Sequence, residues 1–216
     1  MANRLALPPL YVILDAALLP SDPIELTRKM LDAGARLFQY RDKTSSSREL
    51  LHASQALCLT VRQRGGTFLV NDRADISHLA GASGVHLGQD DLSVAAAREV
   101  VGNDSLIGLS THNLRQFKAA AESSADYIAV GPIFSTSGKR NPDPVVGIDF
   151  IQTVRKLTTK PIVAIGGITL ERAREVIDAG ADSVAVISDI LKAKNPADRV
   201  RQYLKIVPVA AQSAGK

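Results

Sequence analysis

Eight short apolar runs punctuate the chain, each followed by a longer amphipathic stretch: Tyr11–Leu14, Leu37–Tyr40, Phe68–Val70, Val85–Leu87, Leu106–Leu109, Tyr127–Val130, Ile162–Ile165 and Val184–Ile187. The runs are continuous and do not alternate with polar residues, which is the pattern of parallel strands covered on both faces. Strands buried on both faces require helices between them, and helix signals lie in the intervals. Ser21-Asp22-Pro23 caps and starts a helix that closes at Ala33-Gly34-Ala35. Ser45 to Arg64 forms another, ended by Gly65-Gly66, and Thr169-Leu170-Glu171 opens a third that closes at Ala179-Gly180-Ala181. The two Ala-Gly-Ala triplets precede strands, with a weaker echo at Ser124-Ala125-Asp126, as expected of a repeated βα unit whose helix ends on a glycine.

Eight strands and about eight helices within 216 residues leave no room for a second domain. Right-handed parallel crossovers then favour a closed α/β fold, a single-domain (β/α)8 TIM barrel over residues 1–216, above an open doubly wound sheet. The tail 208–216, rich in Ala, Ser and Gly, is expected to fray. With 45% hydrophobic and 22% charged residues, the composition is that of a globular protein and excludes a disordered chain.

A net charge of +4 permits an anionic ligand. Nucleic acid is not an expected partner, because the 26 basic residues are scattered, aromatics are only 4% and Trp is absent. The N-terminal apolar run is broken by Pro8 and Pro9 and stopped by Asp15, too short for a signal peptide or membrane span, so a cytoplasmic enzyme without a membrane partner is expected. The lone Cys58, flanked by Leu57 and Leu59, is expected to be a buried structural thiol. The histidines at 52, 78, 86 and 112 show no transition-metal spacing; His86 falls inside a strand as a core histidine, and His112 at a loop mouth is a minor candidate for proton transfer.

In a barrel of this kind the active site is built from residues just past the C-terminal ends of the strands. The second strand runs into Gln39-Tyr40-Arg41-Asp42-Lys43. Alternation sends Gln39, Arg41 and Lys43 to one side and Tyr40 and Asp42 to the other. One amide and two cations facing together suit a nitrogenous ring and a polyanion, or else form a surface salt-bridge cluster. Asn71-Asp72 and Gly88-Gln89-Asp90-Asp91 end neighbouring strands, so their carboxylates either converge on a hard cation such as Mg²⁺ or cap the following helices. Ser110-Thr111-His112 ends the fifth strand, and the sixth leads into a hydroxyl-rich loop with two cations, from Gly131 to Arg140. Gly166-Gly167-Ile168-Thr169 and Ile187-Ser188 end the last two strands, where barrel phosphate sites are commonly built.

Taken in order, Gln39-Tyr40-Arg41-Asp42-Lys43, Asn71-Asp72, Gly88-Gln89-Asp90-Asp91, Gly131-Pro132-Ile133-Phe134, Asn141-Pro142-Asp143-Pro144 and Gly166-Gly167-Ile168-Thr169 resemble the thiamine-phosphate synthase family, over roughly Tyr11 to Ala193. The resemblance implies a transferase that joins a hydroxymethylpyrimidine diphosphate to a thiazole phosphate. It places Gln39, Tyr40, Arg41, Asp42, Lys43, Asn71, Ser110 and Lys139 on the pyrimidine diphosphate, with Arg41, Lys43, Ser110 and Lys139 expected to carry the catalysis. It makes Asp72 and Asp91 the ligands of one Mg²⁺ per subunit, with Asp90 a neighbour. Thr136, Ser137, Gly138, Gly167, Ile187 and Ser188 match the thiazole-phosphate site; many relatives carry a second threonine where this chain has Gly138. The implied partners are small-molecule substrates, with homo-oligomerisation left open. Two other functions compete: a thiazole tautomerase on the same fold, and a non-catalytic phosphate-ligand sensor. Neither requires the pair of carboxylates together with the cations.

Overall fold

The computed structural model describes residues 5–20, 22–135 and 143–207. Eight strands, β1 (Leu10–Asp15), β2 (Leu37–Arg41), β3 (Thr67–Asn71), β4 (Gly84–Leu87), β5 (Leu106–Thr111), β6 (Tyr127–Val130), β7 (Ile162–Ile165) and β8 (Ser183–Val186), pair in sequence order, and β8 closes on β1. Every pairing is parallel. The connecting helices are α1 (Pro23–Asp32), α2 (Ser47–Arg62), α3 (Ala74–Leu79), α4 (Val94–Val101), α5 (Leu114–Glu122), α6 (Ile148–Arg155) and α7 (Leu170–Asp178). After β8 comes a short helix, α8 (Ser188–Leu191), and then α9 (Pro196–Ile206), which packs on α1, α7 and α8. The expected closed barrel is therefore the observed one, and the open sheet is excluded.

Local chemistry sets the ends of the elements. Asp22 accepts a hydrogen bond from the Glu25 N–H (2.9 Å), and Pro23 fills the first helical position, where its missing N–H costs nothing. α2 starts two residues later than its polar flank suggests, because Ser46 and Glu49 form a reciprocal capping box. At the Ala-Gly-Ala triplets 33–35 and 179–181 the glycine takes a positive φ (107° at Gly34, 111° at Gly180), and the N–H groups of the glycine and of the alanine after it return to the last helical turn. The echo at 124–126 differs in geometry: α5 ends on extended Ser123. Its shared feature with 180–182 is the aspartate, which serves the bottom of the barrel.

Two apolar layers hold the fold. Inside the strand ring lie Tyr11, Ile13, Leu37, Leu69, Tyr127, Ala129, Val163 and Ala185. Residues of opposite parity, such as Val12, Leu14, Phe38 and Phe68, face outward and pack beneath the helices. Cys58 belongs to this outer layer, where burial pushes its thiol up and its Sγ donates to the Gly81 carbonyl (3.2 Å). No helix among the described residues is long and apolar enough to cross a membrane.

Candidate active site

The same parity that fills the barrel interior with apolar residues changes character toward the C-terminal ends of the strands. Ile13 gives way to Asp15, Leu37 to Gln39 and Arg41, Leu69 to Asn71, and Gly84 to His86. These polar side chains line a cavity of about 470 Å³ that opens at the C-terminal mouth. Lys43, Asp72, Asp90, Asp91, Ser110, His112 and Ile187 share its wall, with Val163, Ile165 and Ala185 forming an apolar side.

The expected parity of the β2 segment is observed. Gln39, Arg41 and Lys43 line the cavity. Tyr40 turns into the outer layer, and its hydroxyl donates to Asp42 Oδ2 (3.1 Å). Burial and the adjacent Asp42 carboxylate push the Tyr40 phenol up to about 12. Asp42 also accepts the N–H groups of Thr44 (2.9 Å) and Ser45 (3.0 Å), holding the turn from β2 to α2. Tyr40 and Asp42 thus support the segment from behind and do not line the cavity.

The cations at the mouth are paired. Arg41 Nη1 lies 2.5 Å from Asp15 Oδ2, and Lys43 Nζ bonds to Asp72. Asp72 has φ 63°, unusual for a residue with a side chain, so its backbone conformation is maintained by the surrounding structure. Neither Asp72 nor Asp91 caps a helix: Arg73 is the N-cap of α3 without a side-chain bond, and Ser93 caps α4. Asp91 instead accepts the Gly88 N–H (2.7 Å) and sits beside Asp72. Burial pushes the Asp91 carboxyl up, and so does Asp72, while the Gly88 N–H and Lys43 pull it down. Two adjacent carboxylates with oxygen-only donors suit a hard cation. Among the described residues no group of three or more His, Cys, Asp or Glu converges.

Opposite this charged wall the site is built from backbone. Gly166 (φ 99°) and Gly167 (φ 63°) form the turn after β7. A Cβ on Gly166 would lie 2.5 Å from Pro132 Cβ, and one on Gly167 would lie 2.5 Å from the Ser135 carbonyl oxygen. The β6 loop is seated on this glycine pair. Arg172 fastens it, with its guanidinium 4.5 Å from the Phe134 ring centroid and a hydrogen bond to the Gly167 carbonyl (3.1 Å). Gly167 and exposed Ser188 follow directly on the cavity-lining Gly166 and Ile187. Thr136, Ser137, Gly138 and Lys139 lie outside the described residues.

Asp15, Tyr11 and His86 belong to the cavity wall although sequence reasoning does not nominate them. His86 is buried, as expected of a core histidine, yet both of its ring nitrogens are hydrogen-bonded: Nδ1 to Tyr127 (2.9 Å) and Nε2 to Ser110 (2.9 Å). His112 Nδ1 lies 2.6 Å from the Gly131 carbonyl, and its Nε2 lies 3.6 Å from Asp143 Oδ2. A carbonyl partner makes Nδ1 the protonated nitrogen, so neutral His112 has its lone pair on Nε2.

A closed parallel barrel with a polar cavity at the C-terminal strand ends defines a (β/α)8-barrel enzyme. Residues 10–190 match the family described as thiamine monophosphate synthase. The thiamine-phosphate synthase of Koribacter versatilis is 49% identical over 212 residues, covering 96% of this chain and 99% of its own. That of Chlorobium phaeovibrioides is 43% identical, covering 88% of this chain and 89% of its own. Among solved structures, the thiamine phosphate pyrophosphorylase of Pyrococcus furiosus superposes with a TM-score of 0.84 at 33% identity, covering 92% of this chain and 94% of its own. The chain belongs to the thiamine monophosphate synthase family and is a transferase of thiamine biosynthesis.

Proposed function

We propose that the enzyme condenses 4-amino-2-methyl-5-hydroxymethylpyrimidine diphosphate with 4-methyl-5-(2-phosphoethyl)thiazole, or its 2-carboxy precursor, giving thiamine phosphate and diphosphate. The observation that carries this reading is the gathering of Gln39, Arg41, Lys43, Asn71, Asp72, Asp91 and Ser110 on one wall of one cavity. An amide and a hydroxyl deep in the site suit a nitrogen heterocycle, and the cations and carboxylates nearer the mouth suit its diphosphate. Asp72 and Asp91 would hold Mg²⁺, which when bound supplies positive charge to the leaving diphosphate.

The bond from the pyrimidine methylene carbon to the diphosphate oxygen breaks with its electron pair leaving on the diphosphate. Arg41 and Lys43 meet that developing charge, and this lowers the barrier more than it stabilises the bound substrate. The thiazole nitrogen then donates its lone pair to the methylene carbon. It had no proton to lose, so the 2-unsubstituted thiazole requires no general base. The apolar side, Val163, Ile165 and Ala185, limits water at the electrophilic carbon. Gly167, Ile187 and Ser188, together with Thr136, Ser137 and Gly138, are proposed for the thiazole phosphate, and Lys139 for the pyrimidine diphosphate. The tautomerase alternative would leave the Asp72–Asp91 pair without a task.

The test is the purified enzyme with both substrates, with and without Mg²⁺, following diphosphate and thiamine phosphate together. Equimolar products that vanish in excess chelator are expected. Isomerisation of the thiazole without diphosphate release would replace this reading with the tautomerase.

A further inference from the structure

Below the charged mouth, Gln39, Tyr11, Tyr127, His86 and Ser110, one each from β2, β1, β6, β4 and β5, are hydrogen-bonded end to end. Gln39 Nε2 donates to the Tyr11 hydroxyl (2.8 Å), which lies 3.1 Å from the Tyr127 hydroxyl. The Tyr127 hydroxyl is 2.9 Å from His86 Nδ1, and His86 Nε2 is 2.9 Å from Ser110 Oγ. The Tyr127 ring is fully buried and stacks on His86, with centroids 5.6 Å apart and planes at 21°. Room for it comes from Gly108 on β5, where a Cβ would collide with the Tyr127 ring. Gln39 and Ser110, the two ends of the chain, both line the cavity.

Counting protons gives the chain a direction. The Gln39 amide N–H is donated to the Tyr11 oxygen, and Tyr127 is the acceptor that the described hydrogen bonds leave to the buried Tyr11 proton; the Tyr127 proton then goes to His86 Nδ1. Burial pushes both phenols far above their usual range, which keeps those protons in place. A neutral imidazole that accepts at Nδ1 carries its proton on Nε2 and donates it to Ser110 Oγ. Ser110 then keeps its own proton for the cavity, while Gln39 keeps its carbonyl oxygen. The chain therefore ends in one free acceptor, Gln39 Oε1, and one available donor, the Ser110 proton.

We infer that His86 and Tyr127 are positioning residues of a polarised relay that keeps the Ser110 proton available to the cavity and so favours a 4-aminopyrimidine over its 4-oxo analogue. This rests on the pyrimidine-diphosphate reading above. The amino compound presents an N–H donor and a bare ring nitrogen, matching Gln39 Oε1 and the Ser110 proton. The 4-oxo compound reverses both, presenting a carbonyl oxygen and a ring N–H. With the relay intact Ser110 can accept from the 4-oxo ring N–H only by turning its own proton away from the ligand, and His86 Nε2, already protonated, cannot take that proton. With it broken the hydroxyl is free to reorient, so selectivity relaxes while turnover of the amino substrate persists.

The experiment has two arms. On the wild-type enzyme, ¹⁵N histidine spectra should show His86 as the Nε2–H tautomer; an Nδ1–H tautomer overturns the relay whatever the substrate. In Tyr127→Phe, which keeps the ring and removes the linking hydroxyl, the kcat/KM ratio of 4-amino to 4-oxo pyrimidine diphosphate should fall at least about tenfold. The KM for the thiazole phosphate should stay within about twofold, since that subsite lies across the cavity. An unchanged ratio, or equal losses for both pyrimidines, overturns the selectivity role. His86→Asn, whose shorter side chain removes the link to Ser110, repeats the test should Tyr127→Phe fail to fold. A wild type inert toward the 4-amino diphosphate sinks the functional reading instead, and the tautomer measurement still decides the relay.

Discussion

The two ends of the barrel use the same residue types in opposite ways. At the bottom, Asp126 just before β6 accepts from Arg98 of α4 (2.7 Å) and from the Ile107 N–H of β5 (2.7 Å). Asp182 just before β8 repeats the device with Arg155 of α6 (2.8 Å) and the Ile162 N–H of β7 (2.8 Å). Each arginine also donates to carbonyls of nearby loops, Arg98 to Gly102 and Arg155 to Lys160. Opposite charges there are spent on one another and on the backbone, tying helix to strand. At the top, two carboxylates stand side by side, one of them pushed toward its protonated form, and the lysine that pairs with Asp72 is half exposed. Charge satisfied internally builds stability, whereas charge left in partial conflict is available to a ligand.

The sharpest way to break this comparison is to delete one carboxylate at each end. Asp72→Ala or Asp91→Ala is expected to lower kcat by about 10²–10³, the size of a lost transition-state electrostatic contact, with only a small fall in Tm. Asp90→Ala should be much milder. Steady-state kinetics beside thermal melts decide it, and a Tm loss matching the activity loss would make the top pair structural. Next in size is Arg41→Ala, expected to weaken pyrimidine-diphosphate binding about 10- to 100-fold, the range of a charge-assisted hydrogen bond. Calorimetric titration of each ligand alone checks it, because equal losses for the thiazole phosphate would mean that the two subsites are drawn wrongly.

At the other end, Asp126→Ala and Asp182→Ala each strand an arginine and a strand N–H. Each should cost about 1–3 kcal/mol, or several degrees in Tm, with kcat at 25 °C retained. A variant that melts as the wild type does but loses activity would dissolve the division between the ends.

Much of this was legible in the sequence, and the exceptions have physical causes. Unbroken apolar runs disclose strands buried on both faces, and parity places Gln39, Arg41 and Lys43 together. The same parity, applied two residues before Gly88, puts His86 inside the barrel, but its neighbours Val85 and Leu87 mask the signal. A third Ala-Gly-Ala, at 80–82, has the same positive-φ glycine as the other two (64° at Gly81), yet it ends a six-residue helix too short to show its period. Asp126 and Asp182 stand out as echoes, but their arginines lie 28 and 27 residues away in the chain. The Asp72–Asp91 contact depends on the β3–β4 register, which sets Asn71 beside His86, and no local pattern encodes a register.

The smallest expected effect tests the boundary between site and support. Asp42 matches the family's pyrimidine-diphosphate segment by position, but its carboxylate faces Tyr40, Thr44 and Ser45 behind the cavity wall. Burial works to raise this carboxyl, and the hydrogen bonds from Ser45 and Thr44 outweigh it, holding it well below the usual carboxylate range. A depressed folded-state pKa means that the carboxylate stabilises the fold fully above the unfolded value of about 3.9 and loses that contribution as pH falls below it. Asp42→Asn should therefore melt about 2–4 °C below the wild type at pH 7, corresponding to about 1 kcal/mol after discounting for solvent screening at this exposed turn. The deficit should shrink as the pH is taken below about 4. Because the turn carries Arg41 and Lys43, a modest rise in KM for the pyrimidine diphosphate should accompany the lost stability and follow it across temperature. A KM increase at unchanged Tm would instead put the Asp42 carboxylate in contact with the substrate and move the edge of the site outward by one residue.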